Sequence, residues 1–165
     1  MSVYSNPVLR LITEEEDRQI SMQLSITVFV NEQKYPLERI VDDEYNDNSD
    51  VWIAYCEKKM EDGTVQNDVP VGTVRYIDIS EDVCRLGRLV VLSEARGLSL
   101  GRKLVDIVIQ EAANRGKTTM FIHAQANKRG FYEKFGFVVE EGDDTIFHVD
   151  GDPHYRMWIR NIGKK

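Results

Sequence analysis

The sequence predicts a mixed α/β fold, with helices packed on a sheet of parallel and antiparallel strands. Three observations predict it: strand-like and helix-like patterns alternate, three strands follow one another through short connections, and a strand–helix–strand crossover comes after them. The 165 residues are 42% hydrophobic and 30% charged, which favours a single globular domain over residues 1–165 with its own core. The predicted element order is β–α–βββ–α–β–α–ββ.

The chain begins with a predicted strand and helix. Residues 8–12 alternate in polarity as a strand does. Thr13 is followed three positions later by Glu16, which predicts a helix start capped by the threonine hydroxyl. The stretch 38–50 holds six acids, the single base Arg39 and no apolar period, so we expect a solvated loop there.

Three successive strands form the predicted middle of the sheet. Residues 51–56 are apolar on both phases, which predicts a strand buried on both faces. A polar stretch through Asp68 leads to the strand 71–79, and the turn 80–82 leads to the strand 83–91. Short connections favour antiparallel pairing of these strands.

A second helix follows the strand 83–91. Gly116 is placed to end it as a left-handed cap, and the strand 118–124 then completes a right-handed parallel crossover. The apolar face of this helix consists of Leu100, Leu104, Ile107, Val108 and Ala112.

The C-terminal region is predicted to contain a short helix and further strands. The helix spans 127–135 with Gly136 as its stop, and a strand begins over 137–140. The dipeptide 150–151, Asp-Gly, joins residues 146–149 to residues 155–159 as a hairpin.

The junction between the strand 83–91 and the following helix is the strongest functional feature. Small residues connect the two elements, so backbone N–H groups and the positive end of a helix dipole converge on one spot. Such a spot binds an anion, usually a phosphate or a pyrophosphate. The sequence contains neither the P-loop spacing nor the dinucleotide-binding fingerprint with its ribose-binding acid.

Two motifs resemble those of the GCN5-related N-acetyltransferase (GNAT) superfamily. Arg96-Gly97-Leu98-Ser99-Leu100-Gly101 resembles its acyl-CoA signature, Gln/Arg-x-x-Gly-x-Gly/Ala, with serine at the place of the middle glycine. Phe131-Tyr132-Glu133-Lys134-Phe135-Gly136-Phe137 resembles its Phe-Tyr-x-x-x-Gly-Phe segment. Residues 28–33 and 153–157 are similar to the ElaA-like branch. The resemblance covers nearly the whole chain and implies the GNAT-like acyl-CoA N-acyltransferase fold.

The resemblance also implies a donor, acetyl-CoA, and roles for individual residues. The backbone of Leu89, Val90 and Val91 would hold the pantetheine arm, and the N–H of Val91 is a candidate donor to the oxyanion. Tyr132 would protonate the departing thiolate, since phenol and thiol pKa values lie within about two units of each other. Gln125, at the place of the family's usual asparagine, is assigned to the cofactor. The pyrophosphate cradle consists of Arg96, Gly97, Leu98, Ser99, Leu100, Gly101 and Arg102.

The general base stays open. The charged residues of the strand before the cofactor turn are Arg85 and Arg88, which cannot accept a proton. Glu32, His123 and His154 are the substrate-side candidates, and a structural histidine is the alternative for His123. An ordinary packed tyrosine is the alternative interpretation of Tyr132. No metal site is expected.

These residues predict an acetyl-CoA-dependent N-acetyltransferase that transfers an acetyl group to a primary amine by direct attack in a ternary complex. A non-catalytic CoA-binding or regulatory module on the same fold is the first alternative. An unrelated domain that binds another phosphate at this helix N-terminus is the second. The acceptor is expected to be a small-molecule or peptide amine, and the assembly a monomer or a homodimer.

Composition excludes several other classes. A net charge of −7 argues against a nucleic-acid partner. No apolar run approaches the length of a membrane span, and the N-terminus lacks the features of a signal peptide. Cys56 and Cys84 lie in predicted strands, which indicates buried thiols in a reducing compartment. We therefore expect a cytoplasmic protein, with a nuclear location left open.

Overall fold

The computed structural model describes residues 3–163 and contains a mixed sheet with helices, as predicted. Within these residues the strands follow the order β1-β2-β3-β4-β5-β7-β6 in the sheet. The strands are β1 (Tyr4–Leu11), β2 (Asp50–Lys59), β3 (Val65–Asp78), β4 (Val83–Val91), β5 (Thr119–Gln125), β6 (Phe147–Val149) and β7 (Asp152–Ile159).

Helical elements precede, connect and follow these strands. The α-helices are α1 (Glu15–Ser25), α2 (Leu37–Val41), α3 (Leu100–Asn114) and α4 (Arg129–Glu133). A π-helical segment, Ile26–Glu32, continues from α1, and its Gln33 N–H bonds the carbonyl of Val28 five residues back at 2.9 Å. Two 3₁₀ turns are Ser93–Ala95 and Ala126–Lys128.

The chain divides into two compact units. The first comprises the chain up to Arg75 together with Arg88–Val105, and the second comprises Tyr76–Gly87 and the chain from Asp106 onward. The expectation of a single domain stays a prediction.

The first unit has an apolar core beneath β1, β2 and α1. The strands β1 and β2 pair antiparallel, with a register shift between Ser5 and Val8. The first strand therefore starts earlier than predicted and continues past Pro7. The predicted burial of β2 on both faces is confirmed over residues 51–54. The core cluster contains Ile12, Leu24, Val28, Val51, Ile53 and Val90.

Two local predictions for the first unit are wrong. Glu14, not Thr13, is the N-cap of α1, and its side chain makes no capping hydrogen bond. The acidic residues at positions 15–17 stabilise the start of the helix instead, through their interaction with the positive end of its dipole. The acidic stretch 38–50 is not a plain solvated loop, because it contains part of α2 and because Asp43 bonds the buried Arg75 and Asn46 bonds the partly buried Arg88.

The second unit contains the paired residues of β4 and β5 and the C-terminal strands. Val83–Arg85 of β4 pair parallel with Thr119–Phe121 of β5, which confirms the predicted parallel crossover. Gly116 has a φ of 78°, as its predicted role as a left-handed cap requires. Asp150 and Gly151 both have positive φ, at 49° and 88°, as a two-residue type I′ hairpin turn demands.

The predicted strand over 137–140 is absent. Val138 makes only an isolated bridge to Trp158, and the chain then leaves the sheet. Gly136 and Gly142, both left-handed, bracket this segment, and Glu140 bonds Arg160 at 2.7 Å instead of extending a ladder. The buried state predicted for Cys56 and Cys84 is confirmed, with 2% and 0% exposure.

Candidate active site

The turn between β4 and α3 presents open backbone N–H groups. The N–H of Lys103 bonds the carbonyl of Ser99 at 3.0 Å and closes the first turn of α3. The N–H groups of Leu100 and Gly101 precede that bond, so neither has a helical acceptor four residues back. Buried Ala95 and Leu100 fix the two ends of the turn, so these donors have a defined direction.

Two residues of this turn are left-handed. Gly97 has a φ of 99° and Ser99 a φ of 55°. A Cβ atom on Gly97 would meet no atom within 4 Å, so a side chain would fit there. Glycine is favoured at this position because of its positive φ, not because of steric crowding. Ser99 adopts the same region with a side chain, which costs about 1 kcal/mol.

Gly72 of β3 sets the position of β4 beside this turn. A Cβ atom at Gly72 would lie 3.0 Å from the carbonyl oxygen of Val90 and 3.1 Å from Cδ1 of Leu104. Leu92 N–H also bonds the carbonyl of Val71 at 2.8 Å. Any larger residue at Gly72 would therefore displace the strand that leads into the turn.

Arg88 interrupts the regular geometry of β4 immediately before Leu89. Its φ is 49°, in the left-handed region that non-glycine residues rarely adopt. Its guanidinium donates to Asn46 Oδ1 at 2.8 Å and to the carbonyl of Ile40 at 2.8 Å, so the strained backbone is held by side-chain bonds. The sequence pattern marks Arg88 only as a residue unable to accept a proton.

Arg75 and Arg88 share one oxygen of Asp43. Their Nη2 atoms lie 2.9 Å and 3.2 Å from Asp43 Oδ2. Burial raises the pKa of Asp43, but hydrogen bonds from Arg75 and the Tyr45 N–H and the two guanidinium charges outweigh it and hold that pKa below its ordinary value. An arginine within the buried run of β3 is the signal that could have predicted a carboxylate partner.

A cavity of about 80 Å³ adjoins this cluster, and all of its lining residues belong to the first unit. Arg18, Arg75 and Arg88 line it together with Ser49. Glu15 and Asp47, both exposed, also contribute to its lining.

Tyr132 lies at the centre of an aromatic group in the second unit. Its ring packs edge-on against Phe131 at 5.1 Å and against Phe137 at 5.9 Å, and Phe137 is fully buried. Burial raises the pKa of the Tyr132 hydroxyl above its ordinary value of 10, so the group is protonated at neutral pH. Within residues 3–163 the hydroxyl has no hydrogen-bond partner, which leaves its proton available to a ligand.

His123, Gln125 and His154 share one face of the β5–β7 pair. Gln125 is directly opposite His154, and His123 lies two residues before Gln125. Phe147 packs against both histidine rings, with centroids 5.1 Å from His123 and 5.7 Å from His154. The predicted substrate-side histidines and Gln125 are therefore neighbours on one surface.

The two histidines differ in their free nitrogen. Arg85 Nη2 lies 3.2 Å from His123 Nδ1, and since a guanidinium only donates, His123 Nδ1 accepts and Nε2 carries the proton. His154 Nδ1 lies 3.0 Å from the carbonyl of Asp152, so this nitrogen donates and Nε2 is the acceptor. Burial, followed by the charges of Arg85 and Arg156, lowers the pKa of His123 to about 4.

The remaining candidate, Glu32, is exposed at the end of the π-helical segment. Across residues 3–163, no three His, Cys, Asp or Glu side chains cluster as a metal ion would require. Nor does any helix in that range have the length and apolar character needed to cross a bilayer.

Known proteins resemble this chain over most of its length. The family model of the acetyltransferase (GNAT) domain matches residues 52–160. A candidate acetyltransferase of Bacillus subtilis (strain 168) is 30% identical over 149 residues, which is 90% of this chain and 93% of the relative. ElaA of Escherichia coli is 26% identical over 140 residues, which is 82% of each chain.

Solved structures share the fold. The crystal structure of Escherichia coli ElaA has a TM-score of 0.74 at 21% identity, and the match covers 93% of this chain and 99% of ElaA. An aminoglycoside 6′-N-acetyltransferase complexed with coenzyme A has a TM-score of 0.63 at 18% identity, over 93% of this chain and 96% of that one. The predicted fold and the likeness to ElaA are both confirmed. The chain belongs to the GNAT family and is an N-acetyltransferase.

Proposed function

We propose that this acetyltransferase moves the acetyl group of acetyl-CoA to a primary amine of a small molecule or peptide, by direct attack in a ternary complex. The turn at the start of α3 carries the proposal: it combines the left-handed residues Gly97 and Ser99 with the N–H groups of Leu100 and Gly101, which lack helical acceptors. Such a helix start suits a diphosphate. The structural likeness to an acetyltransferase complexed with coenzyme A supports the same donor.

The donor is held mainly by the backbone in this proposal. The main chain of Leu89, Val90 and Val91 holds the pantetheine arm in the manner of a neighbouring strand. The turn from Arg96 to Gly101, followed by Arg102, holds the diphosphate. Gln125 contacts the cofactor from the end of β5. Main-chain contacts of this kind tolerate side-chain variation, which explains how Ser99 can replace a glycine of the motif.

The reaction requires one proton donor and one acceptor. The amine nitrogen attacks the thioester carbonyl, a nitrogen–carbon bond forms, and the oxyanion is stabilised by the N–H of Val91. The carbon–sulfur bond then breaks and its electron pair leaves with sulfur, which takes the proton of Tyr132. The amine loses one proton, and through solvent this proton restores the tyrosine hydroxyl. The products are the amide and the free thiol of CoA.

No base is assigned to accept the amine proton. His123 is neutral at pH 7, but a pKa of about 4 and a bond from Arg85 to Nδ1 make it a weak acceptor. His154 is 7% exposed and its Nδ1 donates to the carbonyl of Asp152, whereas Glu32 faces solvent. Variants H154Q and E32Q, assayed over a pH range, distinguish these residues from water.

The substitution Tyr132→Phe tests the proposal. We expect kcat to fall by about 10²-fold, the scale of general acid catalysis, while the Kd for acetyl-CoA changes less than twofold. Calorimetry gives the Kd, and thiol release over a panel of amines gives kcat. Tyr55→Phe is the control, because Tyr55 lies on β2 with its ring against Arg10.

Three results would contradict the proposal in different ways. Equal turnover by wild type and Tyr132→Phe would remove the acid role. Binding of acetyl-CoA without turnover of any amine would favour the non-catalytic CoA-binding module. Absence of acetyl-CoA binding would remove the assigned donor and leave the turn for another phosphate.

A further inference from the structure

We infer that the cavity lined by Arg18, Arg75, Arg88 and Ser49 binds the carboxylate of the acceptor, so that the enzyme selects amines that carry an acid group; this rests on the function proposed above. The cavity, which we call the arginine cavity, has a volume of about 80 Å³. One water needs about 10–15 Å³, so the arginine cavity has room for several waters or a small anionic group.

Two residues that line the arginine cavity carry a buried side-chain donor without a partner among residues 3–163. Arg75 is 5% exposed, and its Nε finds no acceptor among residues 3–163. Ser49 is 7% exposed, and its hydroxyl is likewise unpartnered within the described chain. A buried polar group without a hydrogen bond costs about 1–3 kcal/mol, so a ligand that accepts from both would be favoured.

Arg18 adds a cation without a carboxylate partner. Its Nη2 donates to the carbonyl of Ser49 at 3.0 Å and its Nη1 to the carbonyl of Asn46 at 3.4 Å. No side-chain acid within residues 3–163 forms an ion pair with it. Two carbonyl bonds orient this guanidinium and leave further N–H groups of its five for a ligand.

The charges close to the arginine cavity favour an anion inside it. The side chains of Arg75 and Arg88 are 6% and 13% exposed and share the single carboxylate of Asp43. Glu15 and Asp47 also line the cavity, but both are exposed to water, which screens their charges. The lining therefore contributes three guanidiniums, while its two acids are exposed and screened, and this balance favours an anion inside the cavity.

Asn46 fixes the guanidinium of Arg88 at the arginine cavity. Asn46 donates through Nδ2 to the carbonyls of Ile40 and Val41 at 3.0 Å and 3.1 Å, so its Oδ1 faces the guanidinium of Arg88. This arrangement fixes Arg88, the residue before the proposed pantetheine strand. Planar guanidiniums bind carboxylates with paired, charge-assisted bonds. The acid group of the acceptor would thus be held next to the strand that carries the donor.

Matched pairs of amines test this inference. Glycine and glycinamide, and β-alanine and its amide, differ only in the carboxylate. We expect kcat/KM for at least one acid to exceed that of its amide by more than tenfold. Arg18→Met should raise KM for that acid about tenfold and leave its kcat within twofold of wild type. For the corresponding amide, kcat/KM should also stay within twofold of wild type. Arg18 is chosen because its removal does not strand Asp43, and exposed Arg10→Met is the control.

A binding measurement separates this inference from the proposed function. Propionate, at ionic strength held constant with chloride, should raise the Tm of wild type and of Arg10→Met but not of Arg18→Met, and propionamide should have no effect. If amines are acetylated with no preference for the acid, the inference is wrong and the proposed function stands. If no amine is acetylated, the propionate result alone decides: protection that depends on Arg18 supports the site, and its absence overturns it. Stronger protection by inorganic phosphate than by propionate would overturn the carboxylate assignment.

Discussion

Replacing His123 with glutamine should remove a loss of stability that the native chain undergoes between about pH 6.5 and pH 4. The pKa of His123 is lowered from 6.5 to about 4 by burial and then by the charges of Arg85 and Arg156. Within that window the unfolded chain binds a proton at this ring and the folded chain does not. The free energy of unfolding therefore falls as the pH falls, from the unfolded pKa down to the folded one.

The size of the effect follows from the two pKa values. The difference between the folded pKa of about 4 and the unfolded pKa of 6.5 corresponds to about 3 kcal/mol of unfolding free energy, before any reduction for solvent screening. His123 is only partly buried, and solvent screening reduces the figure to about 2 kcal/mol. Above pH 6.5 the ring is neutral in both states, so wild type and variant should then show parallel profiles.

Urea unfolding at several pH values from 7 to 4 measures the difference in unfolding free energy between wild type and variant. Glutamine is the replacement because its side-chain oxygen can accept the hydrogen bond from Arg85. His148→Gln is the matched control, since His148 is exposed on β6. The wild type should lose about 2 kcal/mol more than His123→Gln across the window. Equal losses by the two proteins, or an NMR titration of the His123 ring with its midpoint near pH 6.5, would refute the reasoning.

Three further substitutions test the strained turn, the arginine cluster and the aromatic core. Ser99→Gly should raise the free energy of unfolding by about 0.5 kcal/mol in urea titrations, because the relief of left-handed strain exceeds the entropy that glycine adds to the unfolded chain. Ser93→Gly is the control: Ser93 does not have a positive φ, so this change should lower the free energy of unfolding. Asp43→Asn should lower the free energy of unfolding by about 3 kcal/mol at pH 7. The difference from wild type should shrink in acid, because the wild-type carboxyl is protonated below its lowered pKa. Asp47→Asn, at an exposed position, should leave the free energy of unfolding unchanged. Phe137→Ala should lower the unfolding free energy by about 3–5 kcal/mol, against under about 1 kcal/mol for exposed Val138→Ala, and calorimetric Tm values check the order.

The sequence predicted correctly those strands and turns that are determined by residues close together in the chain. The bounds 83–91 of β4 follow from turn residues on both sides of an apolar run, and the Asp150-Gly151 hairpin follows from two residues that tolerate positive φ. The parallel crossover was predictable because a strand, a helix and a strand in sequence have few other ways to pair. In the same way, the turn before α3 could be recognised by its small residues.

The arginine cluster could not be predicted because its contacts are distant in sequence. Arg75 and Asp43 are 32 positions apart, and Arg88 and Asn46 are 42 positions apart. An acidic run has the same composition whether its carboxylates face water or buried guanidiniums, so composition alone favoured the solvated loop. The false cap at Thr13 has a similar origin: the motif was present, but the helix began at Glu15 with acids in its first turn.

Two strained residues of the first unit, Arg88 and Ser99, bracket the strand segment assigned to the donor. Arg88 and Ser99 are both left-handed without being glycine; Arg88 immediately precedes Leu89–Val91, and Ser99 lies within the turn. Such conformations cost about 1–3 kcal/mol each and persist only where neighbouring contacts hold them. For Arg88 those contacts come from Asp43, Asn46 and Ile40, and both Asn46 and Arg88 itself line the arginine cavity. A change that loosens this cluster should therefore disturb donor and acceptor together, because a single strained residue of β4 joins the two.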